Sequence, residues 1–186
     1  GGFSATGIPT HNVVGATPYT WAGGAPASSY DFYVRADCGM DNVDVSTWTG
    51  PISFSTPCVA LNTFPYNEGF EGGAAIPTCW SQEQVSGSTA NWVFNATTNN
   101  ASVTPQSGTE MARLSDTSGA DDTTRLVMPV MDLTVLTAPQ LTFSHTQEDW
   151  FGDQDELRVM YKTSAGGAWI ELAHYTGNID ADRKSV

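Results

Sequence analysis

Alternation with a period of two dominates the hydrophobic pattern of the chain. Leu141, Phe143 and His145 alternate with Thr142 and Ser144; Leu157, Val159 and Tyr161 alternate with Arg158, Met160 and Lys162; residues 169–173 continue the pattern after Ser164-Ala165-Gly166-Gly167. Side chains two apart lie on the same face of a strand, so these segments predict successive antiparallel strands of one half-buried sheet, joined by hairpins. An acidic loop, residues 147–156, separates the first two. Earlier in the chain Tyr30, Phe32 and Val34 alternate with Asp31, Tyr33 and Arg35, residues 51–56 form a shorter run, and Met111, Arg113 and Ser115 alternate with Ala112 and Leu114. Residues 81–106 are rich in Ser, Thr and Asn around two isolated anchors, Trp92 and Phe94, and predict a strand pair with long loops. No segment carries the helical period, so the expected class is all-β.

Composition narrows the partners. The 186 residues include 20 Asp and Glu against 7 Lys and Arg, a formal net charge of −13. Such a chain repels phosphate backbones and has no basic stripe to offset this, so nucleic acid is not an expected partner. No apolar run approaches the roughly 20 residues of a spanning helix, so membrane insertion is not expected either. The acidity fits a secreted surface, or carboxylates gathered around divalent cations. Neither GxSxG nor HExxH occurs, no carboxylate pair stands out, and His145 shares the face of Leu141 and Phe143, as a core or strand-end histidine would. A non-catalytic role is the expectation.

Two stretches carry family resemblances. Tyr33-Val34-Arg35-Ala36-Asp37-Cys38-Gly39, Trp48-Thr49-Gly50-Pro51 and Phe54-Ser55-Thr56-Pro57-Cys58 resemble the end of a fibronectin type III domain from Bacteroidetes-type surface proteins. Residues 1–58 would be its C-terminal half, and Tyr30 would be the corner tyrosine whose hydroxyl meets upstream backbone. In the second stretch, Leu126, Pro129, Asp132, Leu133, Leu141, Phe143, His145, Asp155, Leu157, Val159, Gly166, Gly167, Trp169 and Leu172 follow the order of a MAM-type jelly roll of the cleaved-adhesin or choice-of-anchor group. Glu156 intervenes before Leu157, a small departure from that order. Residues 59–186 would be such a jelly roll, opening with a strand near Phe64-Pro65-Tyr66-Asn67-Glu68-Gly69-Phe70-Glu71-Gly72-Gly73 and truncated at its C-terminal end. The resemblance therefore implies tandem β-sandwiches and further domains of the same polypeptide at both ends.

Candidate sites follow from these resemblances. Three cysteines without CxxC spacing point to disulfides rather than zinc. If the first domain ends in the family's last two strands, Cys38 lies by their connection and Cys58 at the far end. At about 3.3 Å per residue that is too far to bond. The expected bond is Cys58–Cys79, clamping the linker to the start of the jelly roll, with Cys38 pairing outside this sequence. Glu68 and Glu71 resemble positions that hold a structural cation in related sandwich domains. Asp153 and Asp155, in a loop that also carries Glu148 and Asp149, form a second candidate Ca2+ group, although no EF-hand pattern is present. Loop aromatics Trp92, Trp150 and Phe151 are candidate ligand contacts, the adjacent pair at 150–151 being the more suggestive. Asp122-Thr123-Thr124 resembles a Bacteroidetes O-glycan acceptor triplet, with Thr123 as the acceptor.

The function implied is adhesion or recognition by a module of a multidomain secreted bacterial surface protein, with an extracellular protein or glycan as ligand. The alternatives are a carbohydrate-targeting accessory module of a secreted hydrolase and a structural stalk or filament unit.

Overall fold

The computed structural model describes residues 11, 13, 18–39, 41–87, 90–96, 103–114, 122–147, 149–150, 153–177 and 179–185. The protein is all-β, apart, among the described residues, from one 3-10 turn at Leu133–Val135. It divides into two compact units, Gly1–Ala60 and Leu61–Val186.

In the first unit, β1 (Ser29–Val34) and β2 (Thr49–Ser55) pair antiparallel, with Tyr30 opposite Phe54 and Phe32 opposite Ile52. Directly opposed residues share a face, so the alternation read from the sequence becomes one apolar side of a two-stranded ribbon. Trp21 covers part of it, edge-on to Tyr30, Phe32 and Phe54 at centroid distances of 4.9, 5.5 and 6.2 Å. Coverage is incomplete, since Ile52 remains 65% exposed. Tyr30 places its hydroxyl on upstream backbone as expected, accepting from the Ala25 N–H at 2.7 Å. Thr56 Oγ1 adds a second tie, donating to the Ala25 carbonyl at 2.6 Å. Gly50 is required for close strand approach: its φ is +139°, and a Cβ there would lie 2.5 Å from the Phe32 carbonyl oxygen. Gly50→Ala should therefore distort β1–β2 and lower the urea midpoint of the chain, whereas Ser53→Ala, beside it on an exposed strand, should change the midpoint far less.

In the second unit, β3 (Ser81–Ser86) pairs with β6 (Thr123–Val127), and β4 (Trp92–Asn95) with β5 (Met111–Leu114). The expected local pair within residues 81–106 is thus replaced by two pairings across longer separations. Phe94, only 2% exposed, is the deepest large side chain described. It stacks on Phe70 at 5.5 Å, and Phe70 meets Trp80 edge-on at 5.3 Å.

The remaining strands are β7 (Thr142–Gln147), β8 (Asp149–Trp150), β9 (Asp153–Gln154), β10 (Leu157–Tyr161), β11 (Ile170–Tyr175) and β12 (Ile179–Ser185). The hairpin β10–β11 forms as the alternation predicts, but β7 pairs with β12 rather than with its successor. The single sheet expected for this region is therefore two separate ladders. The chain between β7 and β10 turns back on itself as the short hairpin β8–β9, which occupies the span that would have carried a direct β7–β10 connection. Phe143 and His145 of β7 pack with Tyr175 of β11, the His145 and Tyr175 rings 4.9 Å apart, so His145 takes the packed position expected of it.

No strand forms at residues 62–80, where an opening strand is expected. Phe70, Ala74 and Cys79 all have φ between +64° and +68°, a left-handed backbone that breaks a ladder. Entry to the unit is instead fixed at Leu61, which bridges Met131 in parallel: Leu61 N–H donates to the Val130 carbonyl at 2.8 Å, and Asp132 N–H to the Leu61 carbonyl at 2.7 Å. Asp132 also starts the 3-10 turn, its Oδ1 accepting from the Thr134 N–H at 3.1 Å and hydroxyl at 2.6 Å.

Candidate functional site

The turn at residues 66–73 is organised by its two glutamates. Glu68 Oε1 accepts from the Phe70 N–H at 2.7 Å, which offsets the cost of the left-handed Phe70, and its Oε2 accepts from the Tyr66 hydroxyl at 3.3 Å. Tyr66 in turn accepts from Trp80 Nε1 at 2.9 Å, linking the polar turn to the Phe70–Trp80–Phe94 cluster. Glu71 reaches across 38 residues to Thr109. It accepts from the Thr109 N–H at 3.0 Å, the Thr109 hydroxyl at 2.7 Å and the Glu110 N–H at 3.1 Å. Successive N–H groups after a left-handed glycine form a concave anion site, and here the anion is the chain's own carboxylate. Gly108, at φ +69°, leaves room for it, because a Cβ there would fall onto the Glu71 carboxylate. Glu110 returns the bond, accepting from the Gly73 N–H at 2.9 Å.

The Thr109 hydroxyl, then the Glu110 and Thr109 N–H groups, hold the Glu71 carboxyl below its ordinary range. These are donors, the opposite of what surrounds a divalent cation, and the two Glu71 oxygens accept from three of them, the Thr109 N–H being shared between both. As arranged, Glu68 and Glu71 serve internal hydrogen bonding. Among the described residues no group of three or more His, Cys, Asp or Glu is placed to hold a metal. Glu71→Gln, which puts an N–H₂ against N–H donors, should lower the thermal midpoint of chelator-treated protein; an unchanged midpoint would show that the carboxylate adds nothing in the absence of metal.

The acidic connection forms its own hairpin. Asp149 is opposite Gln154 and Trp150 opposite Asp153. Phe151 lies outside the described residues. At the base Gln147, 7% exposed, donates from Nε2 to the carbonyls of Asp155, Tyr175 (3.4 Å) and Gly177 (3.2 Å), tying β7 to the start of β10 and the end of β11. Asp155 is exposed beside that tie. Glu156 follows on the β10–β11 surface, 3.1 Å from Arg158 and 2.9 Å from His174, while Arg158 also lies 3.4 Å from Glu171. Arg158 first and His174 second depress the Glu156 carboxyl.

Asp132 is depressed as well, by the hydroxyl and then the N–H of Thr134. For a group whose folded value lies below its unfolded one, the stabilisation is complete above the unfolded value and is lost as pH falls through the folded value. The urea midpoint should therefore be steady from neutrality down to the ordinary carboxylate range and fall below it. Asp132→Asn should flatten that fall, and a fall of unchanged depth in this variant would exclude Asp132 as a contributor.

The other candidates are distributed through the framework. Trp92 is half-buried and donates from Nε1 to the Thr124 carbonyl at 3.3 Å, a strand anchor rather than a free platform. Thr123 is exposed at the first position of β6. Cys58 and Cys79 are disulfide-bonded as expected, and Cys38 is an exposed free thiol. Trp169 is flanked by cations, with Lys162 Nζ 4.6 Å and the Arg125 guanidinium 5.3 Å from the ring centroid. Sequence reasoning missed Thr109, Glu110 and Gln147. The signal for the first two was the Gly108-Thr109 turn, and for Gln147 an amide at the end of an apolar alternation. No protein-family model, curated protein or solved structure matches the chain.

Proposed function

We propose that this chain is a non-catalytic recognition module of a secreted, multidomain bacterial surface protein, binding an extracellular protein or glycan through the hairpin of β8 and β9. The observation that carries the reading is the short hairpin of β8 and β9, with Trp150 opposite Asp153, next to a base tied by the buried Gln147 amide; Phe151 follows Trp150 in the sequence. A pinned base reduces the ordering cost of presenting aromatic side chains to a partner. The fibronectin- and MAM-like sequence stretches support it, as does the Cys58–Cys79 bond, which persists in oxidising compartments. Among the described residues no helix is long and apolar enough to cross a membrane.

The test compares wild type with the Trp150→Ala, Phe151→Ala double variant on immobilised collagen and fibronectin and on insoluble cellulose, chitin and starch. Retention on one class of surface, reduced at least about tenfold in the variant, is expected. Retention on the polysaccharides alone would favour an accessory targeting module. Binding that the variant retains in full would remove the hairpin from the account.

A further inference from the structure

The Cys58–Cys79 bond differs from a buried staple in three ways. Its two ends differ in access, Cys58 being exposed and Cys79 half-buried. Cys79 has a φ of +68°, a left-handed backbone that a residue with a Cβ adopts only at a cost in free energy, so the bond ends on a residue the open chain would hold less readily. Finally, every residue from Cys58 to Cys79 is described and none lies in a strand, the one ladder contact being the bridge at Leu61. What the bond closes is a run of bends held by hydrogen bonds. The Phe70 N–H donates to Glu68 at 2.7 Å, the Gly73 N–H to Glu110 at 2.9 Å, the Trp80 N–H to the Pro77 carbonyl at 3.0 Å and Trp80 Nε1 to the Tyr66 hydroxyl at 2.9 Å. Such bends can open without breaking β3–β6, β4–β5 or β10–β11, which pair elsewhere in the chain.

Thiol–disulfide exchange proceeds by attack of a thiolate on one of the two sulfurs, and access helps decide which one is attacked. Here the accessible end is Cys58. We propose that the Cys58–Cys79 bond is a redox catch, which a dithiol reductant opens in the folded protein by attack at Cys58 Sγ, releasing residues 62–80 as a local unit. In the first step the reductant thiolate bonds to Cys58 Sγ as the bond to Cys79 Sγ breaks, and Cys79 leaves as a thiolate and takes up a proton. In the second, the other thiol of the reductant, deprotonated, attacks the reductant sulfur of that mixed disulfide and Cys58 leaves in the same way. The dithiol becomes a cyclic disulfide, its two electrons reduce the protein bond, and its two protons end on Cys58 and Cys79. With the catch open, the Glu68, Glu71 and Tyr66–Trp80 hydrogen bonds alone hold the bends, each worth little by itself. The catch stands apart from the β8–β9 hairpin and does not depend on the recognition reading above.

Three readouts test it on the full chain carrying Cys38→Ser, which removes the third thiol. With dithiothreitol in excess, loss of the bond should be first-order in reductant, and its rate should change less than about twofold between 0 and 1 M urea. Opening that waits for global unfolding would accelerate roughly fivefold or more over that range. Brief treatment with reduced glutathione, then alkylation and peptide mapping, should place glutathione on Cys58 and the alkyl group on Cys79. After full reduction, hydrogen exchange followed by mass spectrometry should speed up at least about tenfold in peptides covering residues 62–80 and at Thr109 and Glu110, while β3, β6, β10 and β11 keep their protection. Glutathione mainly on Cys79, a rate that climbs with urea as unfolding does, or a bond that survives in the folded protein under conditions that reduce the urea-unfolded chain would overturn the proposal. So would protection lost in all strands alike, or unchanged at residues 62–80.

Discussion

Phe94→Ala should lower the stability of the second unit by about 3–5 kcal/mol, the largest loss expected from any single truncation described here. Phe94 is 2% exposed, opposite Ala112 in β5 and stacked on Phe70. Few other large side chains stand behind it, since Ala90, Pro129 and Gln147 are the only other buried residues among those described. The loss combines the transfer free energy of the ring with the cavity left between β4 and the residue 66–80 turn. Phe70, held in a left-handed conformation, cannot simply slide in, because its N–H is committed to Glu68. Urea denaturation followed by far-ultraviolet circular dichroism measures the effect, with Leu172→Ala on exposed β11 as the control. A shift no larger than that of the control would mean that Phe94 is not the keystone of this packing.

The same region shows where the fold was legible in sequence and where it was not. β1, β2, β5, β7, β10 and β11 all fall where apolar and polar residues alternate, the pattern of a strand with two unlike faces, although β2 is exposed along its length and β5 half-buried along its own. β12 shows no such signal. Its sequence, Ile179-Asp180-Ala181-Asp182-Arg183-Lys184-Ser185, is almost wholly polar, and its strand character comes from backbone pairing with β7, which side-chain patterning does not report. Residues 62–80 misled in the opposite direction. Phe64, Tyr66 and Phe70 suggest a strand, but three non-glycine residues at positive φ turn the segment into a series of bends held by side-chain hydrogen bonds. Glu68 and Glu71 were visible as important carboxylates. What they bind was not, because the Thr109 and Glu110 N–H groups that engage Glu71 arrive from 38 and 39 residues away. A carboxylate set against an N–H nest and one set for a cation look the same in sequence.

Removing the Cys58–Cys79 bond should cost about 3 kcal/mol, from the chain entropy that a loop of roughly 20 residues regains once opened. The loop spans the part of the chain with the least ladder support: from Cys58 to Cys79 the structure has one isolated bridge, at Leu61, and no strand. Its bends depend on the glutamate hydrogen bonds, each worth little alone, so a covalent limit on the unfolded ensemble counts for more here than within a strand pair. Cys38 complicates the experiment, because an exposed free thiol can exchange with the bond. Cys38→Ser should therefore be the reference protein, with a urea midpoint equal to that of freshly prepared wild type. On that background Cys58→Ser with Cys79→Ser should lower the midpoint, as should reduction of the reference protein. Peptide mapping without reduction should find Cys38 alkylated in wild type and Cys58 and Cys79 linked. Should the double-serine protein unfold at the same urea concentration as the reference, the turn would owe its geometry to Glu68 and Glu71 alone, and Glu71→Gln would then become the more damaging substitution.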